Sequence, residues 1–127
     1  LWSLHLSYLC IPATLFLLAF NLDNPVAIKN LMHLLAIGGV GGMIIAMMAR
    51  VSLGHTGRTL DIKPSVAVAL ALILIAGLIR SLLPTFFPEL TMWAFRLSAL
   101  CWIMGFGLFL KTYIPILTRP RVDGRFG

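Results

Sequence analysis

Four apolar stretches, each of about 20 residues and each bounded by turn-forming residues, govern what this chain can fold into. A hydrocarbon core about 30 Å thick is crossed by about 20 helical residues. In lipid, a lone segment satisfies its backbone hydrogen bonds only as a helix. The stretches therefore read as spans over about 2–20, 26–51, 64–83 and 89–117, making an all-α, polytopic integral membrane protein whose four helices belong to a larger helical bundle. Composition agrees, with 60% hydrophobic and 11% charged residues among 127. That excludes a water-soluble monomer, a disordered tail and, with two cysteines, a disulfide-stapled secreted domain.

The breakers are explicit. Asn21-Leu22-Asp23-Asn24-Pro25 ends the first helix, and Pro25 suits the first turn of the second. The second ends near Arg50, before a loop over 53–63 that contains Gly54 and Gly57; Pro64 opens the third, and Pro84 to Pro88 separates it from the fourth, which Pro115 is expected to kink. The start at Leu1 has no basic flank or small-residue cleavage site of a secretory signal, so the first span reads as a membrane helix cut from a longer chain.

Basic residues set the orientation, since cytoplasmic loops carry excess Lys and Arg. Arg50, Arg58, Lys63, Arg119, Arg121 and Arg125 fall on one side, against Lys29, Arg80 and Arg96 on the other. This places the 53–63 loop and the carboxyl tail in the cytoplasm and accounts for the net charge of +6. Charges at helix ends, without a basic, aromatic-bearing surface, argue against a nucleic-acid partner. Between Arg96 and Lys111 lies only about 21 Å of helix, less than the hydrocarbon thickness, so at least one of them must snorkel or be paired inside, and snorkelling toward the interface is expected for both.

Polar groups inside a membrane are costly and are default candidates for function. The inventory is short: His5, His33, Asn30, Arg96 and, at the edge, His55. Carboxylates are confined to loops and helix ends (Asp23, Asp61, Glu89, Asp123), which disfavours buried-acid proton coupling, carboxylate-bridged metal pairs and a catalytic triad. Neutral imidazole ligates haem iron and copper without a charge cost in lipid. By depth, His5 and His55 are placed to share a cytoplasmic-side site, whereas His33 is about 10 Å into its helix from the opposite face and needs a partner from elsewhere; the bland reading of each is a hydrogen bond to a neighbouring helix. Gly38, Gly39, Gly41 and Gly42 strip one turn of side chains, which suits close helix packing by default or, more sharply, a macrocycle edge. Met32, Met43, Met47 and Met48 read as flexible filler rather than copper ligands, and Cys10 and Cys101 as small apolar residues. With a haem present, Arg50 and Arg58 are placed to pair its propionates.

The stretches Leu31-Met32-His33, Ile37 to Met43 and Ala46 to Arg58 resemble the central signature of the NnrS family, and Trp2 to Tyr8 and Tyr113 to Arg125 resemble that family's last third. The resemblance implies a bacterial inner-membrane protein containing haem and copper and associated with resistance to nitric oxide and nitrosative stress. It makes His5, His33 and His55 candidate metal ligands or haem-site residues. It also implies that this chain is the carboxyl-terminal part, partnered by the bilayer and by amino-terminal helices of the same protein, with nitric oxide as a small-molecule partner. The alternative from another class is a transporter or permease module without redox chemistry; the helix count supports it, but no buried charge or broken-helix pair marks a coupling site.

Overall fold

The computed structural model describes residues 2–125, and every regular element among them is helical. Helix α1 spans Trp2–Ala19. The second span is not one α-helix: α2 (Pro25–His33) passes into a π-helical segment (Leu34–Gly41) and then α3 (Gly42–His55). Helix α4 spans Pro64–Phe86, and α5 spans Thr91–Thr118 after a 3-10 turn at Pro88–Leu90. All four spans are long and apolar enough to cross a membrane.

Local chemistry explains the ends. Asn21 closes α1 by donating Nδ2–H to the Leu17 carbonyl at 2.8 Å. The Asn24 side chain caps α2 by accepting from the Ala27 amide, with Pro25 in the first turn where its missing N–H costs nothing. At the end of α3 the Gly57 N–H reaches the Gly54 carbonyl and the Arg58 N–H the Leu53 carbonyl, with Gly57 at φ +72°: a Schellman closure. That closure lets the helix run to His55, about a turn past its expected end near 51.

Each span runs antiparallel to the next: Ser7 and Cys10 face Gly42 and Gly38, Gly38 and Gly42 face Gly77 and Leu74, and Ile73 and Arg80 face Gly105 and Phe95. Helix α4 is the centre. One core joins Ile45, Ala49 and Leu53 of α3 to Ala69 and Ile73 of α4 and to Phe109 and Tyr113 of α5. A second, smaller cluster joins Cys10, Leu34 and Leu74 where α1 crosses. The Tyr113 ring stacks on Phe109 at 4.4 Å, and its buried hydroxyl donates to the Ala49 carbonyl at 2.8 Å, tying α5 to α3.

The expected continuous second helix is thus corrected to an α–π–α span. The glycine positions show what sits against it. A Cβ on Gly38 would lie 2.9 Å from Cys10 Sγ, one on Gly42 3.3 Å from Leu74 Cδ2, and one on Gly77 3.0 Å from the Gly38 amide nitrogen. Helices α1 and α4 fill the face of Gly38, Gly39 and Gly42, so close helix packing explains those three, whereas Gly41 meets only the Ala36 carbonyl of its own helix. With side chains absent on this turn, the wider π winding is accommodated between two close neighbours.

Candidate functional site

His33 is the last α2 residue and abuts the π segment. Its Nδ1 lies 2.9 Å from the Lys29 carbonyl oxygen, which can only accept; Nδ1 therefore carries the proton and donates. Nε2 is left with its lone pair, the nitrogen that a metal would take, and a backbone carbonyl is a common orienting partner for a ligating imidazole. The ring is partly exposed.

His5 is on the outer side of α1. The buried stripe of that helix is Ser3, Ser7, Cys10 and Thr14, at helical spacing, and His5 falls about 200° away from Ser3 around the axis. His55 ends α3 and is exposed; it lines a cavity of about 450 Å³ with Met47, Arg50, Val51, Gly54 and Leu60. This cavity brings together an imidazole, a thioether and a guanidinium, donors suited to a soft metal and to a carboxylate respectively.

The three imidazoles do not converge. With Ser7 level with Gly42, His5 is about 3 Å and His55 about 20 Å above that level, while His33 is about 13 Å below it. Neighbouring pairs are therefore offset by about 16 Å, beyond what one ion with metal–nitrogen bonds of about 2.1 Å can bridge. Among the described residues no three His, Cys, Asp or Glu side chains are grouped to hold a metal. The expected common site of His5 and His55 is corrected for this reason: α3 extends well beyond the level at which α1 begins. No two of these histidines can therefore ligate one ion together.

Arg50 and Arg58 are also separated. Arg50 faces the His55 cavity, whereas Arg58 turns toward α5 and donates to the Ile116 carbonyl at 3.4 Å. The carboxyl tail then folds over the end of α3. Arg121 donates to the His55 carbonyl and pairs with Asp123 at 2.6 Å, and the Val122 amide reaches the Thr56 carbonyl. The paired guanidinium and the Arg125 amide hold the Asp123 carboxyl down at about 2.

Two features went unread in the sequence. Buried Asn30 accepts from Arg80 at 3.1 Å, and Arg80 also sits 4.0 Å over the Phe95 ring, so the other end of the bundle has its own polar knot; basic and amide residues at matching depth were the available signal. The π segment had only its glycines as a signal. Arg96 leans back over Trp93 of the preceding turn, the direction expected of a snorkelling side chain.

Four apolar spans with imidazoles at three depths define a polytopic helical membrane protein. Residues 1–121 match the sequence model of the family described as NnrS protein, and the chain belongs to the NnrS family. Comparison with curated proteins and with solved structures finds no match.

Proposed function

We propose that this chain is part of a haem- and copper-binding protein of the bacterial inner membrane that lets cells tolerate nitric oxide and nitrosative stress. Family membership is the observation that carries the reading. The free Nε2 of His33 and the His55–Met47–Arg50 cavity are consistent with it. In this reading His33 would offer a nitrogen to haem iron, His55 and Met47 would offer donors to copper, Arg50 would pair a propionate, and His5 would meet amino-terminal helices of the same protein. Arg58, which donates to the Ile116 carbonyl of α5, would have to leave that contact to pair a propionate. The bound metals would supply the nitric oxide chemistry; the residues of this chain orient them and keep them at set depths.

The test is optical and analytical, on the full-length protein purified from haem- and copper-replete cells. A Soret band that shifts on nitric oxide addition is expected. His33→Ala should remove most of that band, and His55→Ala should lower bound copper to background while leaving haem in place. Absence of both the band and copper in the unmodified protein would sink the proposal.

A further inference from the structure

We infer that the end of the bundle at which α4 begins and α5 finishes binds the phosphate of an anionic phospholipid. A cavity of about 480 Å³ lies between the two helices there, and four cationic side chains line it: Arg58, Lys63, Lys111 and Arg119. Ser65 and Thr112 add hydroxyls to the same wall. Among the described residues, the one ion pair is Arg121–Asp123, so none of these four cations meets a carboxylate at pairing distance. Asp61 lines the adjoining cavity with Arg58 and Lys63 but makes no ion pair with either.

Four like charges around one cavity repel one another, and an anion relieves this. Two further observations specify the anion. The first turn of α4 has no side-chain cap, so the positive end of its dipole adds to the field; Lys63 is its N-cap residue and Pro64 opens it. Lys111 is seven residues inside the end of α5, so the cavity reaches about 10 Å along the helix from its end toward the apolar part of the span. Its floor is apolar, made by Leu108, Pro115 and Ile116. A charged head joined to acyl tails fits such a wall, whereas a free anion uses only its upper part. Basic pockets between membrane helices are a general way to hold anionic headgroups. The site is distinct from the His55 cavity and does not depend on the metal reading.

The experiment measures the thermal midpoint of the detergent-purified full chain during titration with phosphatidylglycerol, with phosphatidylcholine, and with inorganic phosphate. Saturable stabilisation by phosphatidylglycerol alone is expected. Lys111→Gln with Arg119→Gln should weaken the apparent affinity about 25-fold, about fivefold per charge, while the charge-preserving Lys111→Arg with Arg119→Lys retains it. Lys29→Gln, at the other end of the molecule, should have no effect. Equal stabilisation by phosphatidylcholine, or an unchanged response in the double glutamine variant, would overturn the inference. Equal stabilisation by inorganic phosphate would overturn the lipid assignment in favour of a soluble anion. If the glutamine variant does not fold, loss of the phosphatidylglycerol response in the arginine–lysine variant, which keeps the charge, likewise counts against it.

Discussion

Of the described glycines, Gly42 leaves the least room for a Cβ, and the atom in the way is on Ser7 of the neighbouring helix. Ser7 is fully buried and its hydroxyl is without a hydrogen-bond partner among the described residues. It occupies the place that a side chain at position 42 would need: a Cβ there would overlap Ser7 Oγ and lie 3.2 Å from Ser7 Cβ. Gly42→Ala should therefore destabilise the detergent-solubilised protein by about 1–3 kcal/mol, the range for overpacking. Ser7→Ala alone should be neutral or slightly stabilising, because it removes an unsatisfied buried hydroxyl. In the double variant the cost of Gly42→Ala should fall, since the nearest clashing atom is gone. A thermal-unfolding cycle checks this. Identical costs of Gly42→Ala in the two backgrounds would show that the contact does not set the spacing.

At the scale of elements, the end of α3 is held by two devices acting together, the Gly57 closure and the folded-back tail. Gly57 is left-handed at φ +72°, and a Cβ there would lie 2.8 Å from Asp123 Cγ. Gly57→Ala should therefore strain the turn and expel the tail, and Asp123→Asn should release the tail without straining the turn. Both variants should be cut by trypsin near Arg121 several times faster than the unmodified chain at neutral pH. The carboxyl is depressed from 3.8 to about 2 in the fold, so its contribution is complete above about 3.8 and is lost as the pH falls through about 2. Carbon NMR of the Asp123 carboxyl should give a midpoint near 2; a midpoint near 3.8 would contradict the tail contact. The boundaries of α1 and α5 and the start of α4 were legible because apolar runs and prolines are local signals, but α4 runs through Pro84 to Phe86, past its expected end at 83. The π segment was not: Leu34 to Gly41 has an ordinary helical composition apart from its glycines, and the wider winding is fixed by α1 and α4 pressing from both sides. The histidines were legible as candidates, but their separation depends on the register of Ser7 against Gly42, a contact between distant parts of the sequence.

For the molecule as a whole, charge and architecture point to one orientation. Arg58, Lys63 and Arg119 gather at the end where α3 finishes, joined by Lys111, which lines their cavity, and by Arg121 over His55. The opposite end has Lys29 and Arg80 around a separate cavity and Arg96 leaning toward that side. The structure thus places Lys111, which the loop count leaves aside, on the richer side and strengthens the asymmetry that the loops alone suggest. Because each charge resists transfer across the membrane, the richer end is expected to stay in the cytoplasm. In a background with Cys10 and Cys101 replaced, a cysteine at Thr59 should resist an impermeant thiol reagent in intact spheroplasts and react once the membrane is opened. A cysteine at Leu22, in the loop at the other end, should react in both states. Labelling of position 59 from outside would reverse the orientation, and with it the leaflet from which the cationic cavity draws its lipid. Because that cavity and the His55 cavity lie at the same end, reversal would also move the proposed copper donors to the outer face, whereas His33 would come to lie nearer the cytoplasm.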